Sequence, residues 1–177
     1  QARDAIRALK KAGIEHITML TGDNRATAAA VAAAVGIDEF LAELLPHEKV
    51  DAMEELTRRY GSVAMIGDGV NDAPAMAVSS LAVVMGAVGA DAAIETADVA
   101  LMSDDLSKIP WLILHSRRAL AVIKQNVAFA LATKAVFMVL ALFGVAPLWM
   151  AITADTGASL LVVFNGLRML SAQKIRF

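Results

Sequence analysis

The segment Gly67–Pro74, which reads Gly-Asp-Gly-Val-Asn-Asp-Ala-Pro, carries residue types that bind a divalent cation and phosphate. Asp68 and Asp72 offer hard oxygen ligands of the kind that Mg²⁺ prefers, and Asn71 can donate to a phosphate oxygen. The glycines let the backbone approach a ligand closely. An acidic glycine turn between a strand and a helix is the ordinary alternative, and two motifs upstream argue against it.

Those two upstream motifs supply groups that bind an anion. Thr21-Gly22-Asp23 follows a predicted strand and precedes a predicted helix, whose N-terminus attracts negative charge. Lys49 lies in the first turn of another predicted helix, where its ammonium group can reach a phosphoryl oxygen. Taken singly, these are a helix cap and a solvated lysine. Together the three motifs predict candidate catalytic residues at Thr21, Gly22, Asp23, Lys49, Asn71 and Asp72, with Asp68 and Asp72 as Mg²⁺ ligands.

Lys134 and Asp155 are the single charges in two stretches apolar enough to cross a bilayer, residues 127–145 and 148–167. A charge at membrane depth is costly, so neither residue is expected without a partner or a function. Each lies about 10 Å from one end of its stretch, which leaves about 8 Å of depth between them, and a lysine side chain spans most of that distance. The spacing predicts an ion pair near the middle of the membrane, with snorkelling to the surface as the alternative.

The elements that must position these residues alternate between helix and strand. This alternation predicts parallel β-α-β units and a doubly wound α/β sheet, in which ligands gather at the carboxyl ends of strands. The predicted helices are 3–12, 24–35, 46–60 and 75–79, with a helical turn at 90–95. The predicted strands are 16–20, 40–45, 62–66, 81–85 and 98–102.

Charge divides the chain into two parts. Residues 1–124 hold 12 basic and 17 acidic residues, whereas residues 125–177 hold 4 basic and 1 acidic residue. The formal net charge of −2 gives no reason to expect a nucleic acid as a partner. The chain contains no cysteine, which excludes a disulfide or a thiolate metal site made from its own residues.

The two apolar stretches predict a transmembrane helix hairpin after the α/β part. The predicted boundaries are 1–107 for the α/β part, 108–126 for an amphipathic linking helix, 127–170 for the hairpin and 171–177 for a tail. Basic residues flank the hairpin on both sides: Arg117, Arg118 and Lys124 before it, and Arg168, Lys174 and Arg176 after it. The positive-inside rule therefore predicts that both ends of the hairpin and the soluble part are cytoplasmic.

In this order, the motifs and the closing hairpin resemble the C-terminal half of the phosphorylation domain of P-type ATPases, a haloacid-dehalogenase-like fold, followed by the last two membrane helices. The resemblance covers essentially the whole chain. It implies that Thr21 and Gly22 bind a phosphoryl group whose charge Lys49 stabilises. It also implies that Asp68 ligates Mg²⁺, with Asn71 and Asp72 completing the site.

Several parts of that family's pumps are missing from the chain. The string Asp-Lys-Thr-Gly-Thr, which carries the phosphorylated aspartate, does not occur in it. Neither do the nucleotide-binding domain, the actuator domain and the earlier membrane helices. We therefore expect the chain to be a portion of a longer pump, inactive by itself, that uses ATP and Mg²⁺ together with the missing N-terminal portion of the same protein.

The resemblance narrows to the zinc-, cadmium- and lead-transporting subgroup. It depends on Asn126 and Lys134 in the first hairpin helix and on Ala154-Asp155-Thr156-Gly157-Ala158 in the second. The first helix lacks the Tyr-Asn pair of the copper subgroup, and the second lacks its Met-x-x-Ser-Ser and the cobalt-type His-Glu-Gly. An aspartate oxygen also suits a borderline divalent cation, whereas Cu⁺ prefers sulfur.

We therefore expect export of Zn²⁺, Cd²⁺ or Pb²⁺ across the plasma (inner) membrane. Asp155 would ligate the metal in the inward-open state, and Lys134 would take the carboxylate after release as a built-in counter-cation. Asn126 and Asn165 are further candidate ligands, although a hydrogen bond between the helices suits Asn165 equally well. Three alternatives stay open: a copper pump with an unusual site, a non-catalytic membrane module, and a soluble haloacid-dehalogenase-type phosphatase, against which the two adjacent spans argue.

Overall fold

The computed structural model describes residues 1–68, 71–86, 97–145 and 147–171. The chain divides into two compact units, Gln1–Pro110 and Trp111–Phe177. Gly69 and Val70, the predicted helical turn at 90–95 and the tail from residue 172 onward lie outside the described ranges.

The first unit alternates helices and strands. Its helices are α1 (Ala2–Lys11), α2 (Arg25–Val35), α3 (Pro46–Tyr60) and α4 (Ala73–Ala77). Its strands are β1 (Thr18–Leu20), β2 (Glu39–Leu41), β3 (Ala64–Gly67), β4 (Leu81–Met85) and β5 (Val99–Leu101). Local chemistry sets the ends of α3, because Pro46 suits a first helical turn and Gly61, at a φ of 82°, follows the last one.

The described strands pair in parallel and form two sheets. β1 pairs with β2, and a second sheet has the order β3-β4-β5. Thr18 lies opposite Glu39 in the first sheet, and Ala64 lies opposite Leu81 in the second. The predicted parallel α/β class is confirmed, but the strands of the described residues are divided between two ladders instead of one.

One strand is shorter than the sequence predicts. The apolar run at 40–45 predicts a strand, but β2 ends at Leu41. Glu43 has a φ of 61°, which is incompatible with extended backbone, and Leu44 N–H donates to Thr21 O at 3.1 Å. The chain after β2 therefore turns back over the end of β1. The other boundaries in the first unit differ from the predicted ones by only one or two residues, as helix and strand ends commonly do.

The core of the first unit lies around β4, where Val84 is completely buried. Met53 and Leu56 on one side of α3 and Met76 of α4 belong to the same buried cluster as Met65 of β3. Burying a side chain of this size contributes about 1.5–3 kcal/mol. This packing fixes β3 and α4, and so fixes both ends of the segment between Gly67 and Asp72.

Two long helices follow, α5 (Lys108–Leu142), whose first three residues still belong to the first unit, and α6 (Leu148–Ser171) in the second unit. The predicted linking helix and the predicted first span are therefore one continuous helix. Both helices are long and apolar enough to cross a membrane. Gly144, at a φ of 71°, lies in the turn between them.

Half-buried side chains recur every three or four residues along both helices, which indicates one packed face on each. On α5 beyond residue 120 they are Val122, Asn126, Ala130, Thr133, Phe137 and Leu140. On α6 they include Ala151, Ala154, Val162, Asn165 and Met169, with Ala158 buried. Lys134 and Asp155 each lie directly beside this face.

Candidate functional site

The loop that follows β1 is held by hydrogen bonds to the segment after β2. Thr21 N–H donates to Leu41 O at 3.0 Å, and Asp23 N–H donates to Thr21 Oγ1 at 3.1 Å. Gly22 is exposed, and a Cβ at this position would lie 3.3 Å from Leu44 O. The predicted phosphate-binding loop is therefore an ordered turn in which Gly22 presents backbone instead of a side chain.

Glu43 is a positioning residue of this loop that the sequence did not single out. Its N–H donates to Asp23 O at 2.8 Å, and its Oε1 accepts from Arg25 N–H at 3.4 Å. Asn24 caps α2 in the same turn, since its Oδ1 accepts from Thr27 N–H at 2.9 Å. A positive φ at a residue other than glycine leaves no mark in the sequence, so only the structure identifies this role.

Lys49 and Asp72 form a close ion pair, with 2.6 Å between Lys49 Nζ and Asp72 Oδ1. Their side chains are only 15% and 17% exposed, so the pair is largely shielded from water. Lys49 lies in the first turn of α3, and Asp72 immediately precedes α4. The sequence identifies both residues as separate candidates, and the structure shows that they contact each other.

Gly67 accounts for the position of the Asp72 carboxylate. A Cβ at Gly67 would lie 2.6 Å from Asp72 Oδ2, so a side chain at residue 67 would displace that group. Asp68 and Asn71 follow with exposed side chains. The structure thus brings Lys49, Gly67 and Asp72 together in one cluster, hereafter the β3-end cluster, with Asp68 next to it in the chain.

The donor set of the β3-end cluster fits Mg²⁺ bound together with phosphate. Among the described residues, no group of three or more His, Cys, Asp and Glu side chains is placed to hold a metal ion. Mg²⁺ commonly retains several waters and takes one or two carboxylates plus phosphate oxygens. Asp68 and Asp72 can supply those carboxylates, whereas a cage made only of protein ligands is not present in the described part of the chain.

The loop after β1 and the β3-end cluster border the same core. Leu20, the residue before Thr21, packs against the buried cluster that contains Met65 and Met76. Met65 lies in β3 and Met76 lies in α4, the two elements that flank the β3-end cluster. The predicted phosphate-binding residues are therefore supported by one hydrophobic cluster.

In the second unit, Lys134 Nζ lies 3.9 Å from Asp155 Oδ1, at the outer limit of an ion pair. On these two helices the side chains are 67% and 60% exposed. Both line a cavity of about 350 Å³ together with Thr133, Phe137 and Ala151. The structure thus brings together the two charges that the sequence pairs, on a side of the hairpin that the hairpin itself does not cover.

Asn126 and Asn165 form a separate contact between the same helices. Asn165 Nδ2 donates to Asn126 Oδ1 at 2.8 Å. Asn126 lies eight residues before Lys134, which is about 12 Å along the helix. The structure therefore does not bring the two asparagines to Asp155.

Known proteins resemble both units of the chain. Residues 1–79 match the family model described as haloacid dehalogenase-like hydrolase. Over 172 residues the chain is 48% identical to a probable cadmium-transporting ATPase of Listeria monocytogenes. The matched region covers 97% of this chain and 24% of that protein. Over 170 residues it is 46% identical to a zinc-transporting ATPase of Synechocystis sp., and this matched region covers 95% of this chain and 24% of that protein.

A solved structure resembles both parts of the chain. A zinc-transporting PIB-type ATPase in the E2·Pi state matches with a TM-score of 0.86 and 44% sequence identity, over 95% of this chain and 27% of that one. The chain spans about a quarter of the length of the curated relatives that it matches.

Proposed function

Because this chain belongs to the heavy-metal-transporting P-type ATPases, we propose that it is a portion of a pump that exports Zn²⁺, or Cd²⁺ or Pb²⁺, across a membrane. ATP hydrolysis through an aspartyl phosphate would drive the transport. The aspartate that carries the phosphoryl group would come from another portion of the pump. The single observation that supports the choice of cargo is the Lys134–Asp155 pair on two helices of membrane-spanning length.

The first unit would stabilise the phosphorylated state. Thr21 and the exposed Gly22 would bind the phosphoryl oxygens at the end of β1, and Lys49 would neutralise their charge. Asp68 and Asp72 would hold Mg²⁺, which supplies positive charge for phosphoryl transfer when it is bound. The close contact of Lys49 with Asp72 supports this role, because it keeps the lysine side chain ordered beside the metal ligands.

The second unit would supply an oxygen ligand for the cargo within the membrane. A lone carboxylate at membrane depth is costly, and a lysine 3.9 Å away offsets that cost when no metal is bound. When a divalent cation binds Asp155, Lys134 would be displaced and would return after release. A charged pair this exposed cannot face acyl chains, so other membrane helices of the same pump would cover it.

The large apolar side chains that α5 and α6 expose support a position within the lipid. Leu131, Phe164 and Leu167 are among those more than 45% exposed. Basic residues that flank the apolar stretches, Arg118 before the first and Arg168 in the last turn of α6, would lie on the cytoplasmic side. In this orientation the first unit and both ends of the hairpin are cytoplasmic.

Metal-stimulated ATP hydrolysis by the intact pump that contains this chain tests the proposal. We expect stimulation by Zn²⁺, Cd²⁺ and Pb²⁺ but not by Cu⁺, and its loss in Asp155→Ala. Lys134→Ala should retain metal-stimulated phosphorylation in part but slow turnover, because the carboxylate loses its counter-cation after release. Thr153→Val is a matched control, since the Thr153 hydroxyl donates within its own helix to Trp149 O at 2.8 Å.

Two outcomes would contradict the proposal. Stimulation by Cu⁺ alone would assign the pump to another cargo. Zinc-stimulated hydrolysis that is unchanged in Asp155→Ala would remove the carboxylate from the metal site, even if the protein pumps zinc.

A further inference from the structure

The amide pair formed by Asn126 and Asn165 is a second polar contact between α5 and α6. In addition to accepting from Asn165, Asn126 uses its Nδ2 to donate to Val162 O at 3.4 Å. The two side chains are half-buried and line a cavity of about 270 Å³ with Phe129 and Leu161. Both polar ends of Asn126 are thus engaged by the opposite helix.

This hydrogen bonding argues against metal ligation by Asn126. One of the two lone pairs of its amide oxygen already accepts the bond from Asn165, and its Nδ2 donates to Val162 O, so at most one lone pair is left for a cation. The cavity beside the pair is lined by amide and apolar side chains, none of which is a carboxylate. A divalent cation would find little negative charge there.

The geometry instead connects the amide pair with the Lys134–Asp155 pair. Asn126 precedes Lys134 by about 12 Å along α5, and Asn165 follows Asp155 by about 15 Å along α6. Two contacts at different depths restrict both the sliding and the rotation of one helix against the other. Because the charged atoms already stand at 3.9 Å, the outer limit of an ion pair, a slip by one residue, about 1.5 Å, in the direction that separates them would weaken the pair.

We propose that Asn126 and Asn165 are positioning residues that set the register of the hairpin so that Lys134 meets Asp155. This inference rests on the proposed role of Asp155 as a ligand of the transported metal. The amide pair would act on the return of Lys134 after metal release and leave the affinity of the pump for Zn²⁺ unaltered.

The test uses Asn165→Leu and Asn126→Leu in the intact pump, with Zn²⁺ as the metal. Polar contacts between membrane helices have modest strength, so we expect maximal turnover to fall about three- to tenfold. The Zn²⁺ concentration for half-maximal stimulation should change less than about twofold. Thr153→Val, which loses a hydrogen bond within one helix, should behave as the unmodified pump.

Two further readouts separate positioning from general support of the fold. In a Lys134→Ala background, Asn165→Leu should cause no additional loss of turnover, since the residue through which it acts is gone. Cysteines introduced by Phe137→Cys and Ala151→Cys, which line the same cavity beside the charged pair, report the register through the yield of their disulfide in membranes. We expect Asn165→Leu to lower this yield, whether or not the variant pump is active.

Three results would overturn the inference. A higher half-saturating Zn²⁺ concentration at unchanged turnover would make the asparagines metal ligands. If the losses of turnover in Asn165→Leu and Lys134→Ala are additive, or if the disulfide yield is unchanged, Asn126 and Asn165 only contribute to general packing of the helices. If the unmodified pump shows no stimulation by Zn²⁺, the proposed function fails, while the disulfide yield still decides whether the amide pair sets the register.

Discussion

The contact between Lys49 and Asp72 shows how single residues join the phosphate-binding elements. The two residues are 23 positions apart and lie on different helix starts, yet their charged atoms approach to 2.6 Å. Both side chains are less than one-fifth exposed, so each charge depends on the other for compensation. An ion pair in this position stabilises the first unit and also orders a lysine that faces the proposed phosphate site.

Lys49→Met should therefore destabilise the first unit. It leaves the Asp72 carboxylate largely buried without its partner. The free energy of unfolding should fall by about 1–3 kcal/mol, which lies between the values for a surface pair and for a fully buried pair. Hydrogen exchange of the core amides of β3 and β4 measures this loss. The double variant Lys49→Met, Asp72→Leu should recover a part of it, because no unpaired charge remains. Strictly additive effects of the two substitutions would show that the residues are not coupled.

At the scale of the element, the beginning of α5 depends on an aspartate. Asp105 Oδ1 accepts from the Ser107 hydroxyl at 2.7 Å and from Ser107 N–H at 3.0 Å, just before the helix begins at Lys108. These bonds favour the ionised carboxylate and hold the pKa of Asp105 below its ordinary value of 3.8, with a smaller contribution from the charge of Lys108.

The direction of this pKa shift fixes the pH dependence of the helix start. Because the pKa is lower in the folded state, the stabilisation is fully present above the pKa of the unfolded state, and it is lost as the pH falls through the folded-state value. Protection of the Ser107 amide against hydrogen exchange should therefore decrease below about pH 4. Asp105→Asn keeps an acceptor oxygen but cannot titrate, so its protection should not change over this range. The same pH dependence in both proteins would contradict the assignment.

The elements that matched their predicted bounds are those whose signals are local. Pro46 and Gly61 mark both ends of α3, and the apolar run at 81–85 forms one strand whose three central residues are buried. The predicted strand at 40–45 was wrong beyond Leu41, because Glu43 adopts a positive φ that no residue type announces. Boundaries set by local chemistry were thus predictable, and those set by tertiary hydrogen bonds were not.

The side-chain pairings in the candidate sites also differ in whether the sequence predicts them. The pairing of Lys134 with Asp155 could be predicted from helix rise, and the structure places their charged atoms 3.9 Å apart. The pairing of Lys49 with Asp72 could not be predicted, since it depends on how α3 and α4 pack against one core. The division of the strands between two sheets is also a tertiary property, because alternation along the chain does not specify which strands share a ladder.

At the scale of the whole molecule, the chain combines an acidic α/β unit with a basic, apolar pair of helices. Its relatives are cation-transporting ATPases about four times as long, so a complete transport cycle would need groups that this chain does not contain. The proposed arrangement has one testable geometric consequence, which is that the turn between α5 and α6 faces the outside.

The orientation of the hairpin can be tested with single cysteines, because the chain has none of its own. Val145→Cys, in the turn, should react with a membrane-impermeant maleimide in intact cells. Arg118→Cys should react only in inside-out vesicles, since basic flanks are retained on the cytoplasmic side. A pump without either substitution is the control for background labelling. Labelling of both positions from the same side would exclude a membrane-spanning hairpin.

The proposed metal site is tested by the amount of Zn²⁺ that the intact pump binds at equilibrium with and without the Asp155 carboxylate. Asp155→Asn preserves the size of the side chain and one oxygen but removes the charge. If Asp155 ligates the transported metal, the dissociation constant for Zn²⁺ should rise at least as much as when an outer-shell partner is lost, about 10- to 100-fold. An unchanged dissociation constant and an unchanged number of bound zinc ions would show that Asp155 does not ligate the transported metal.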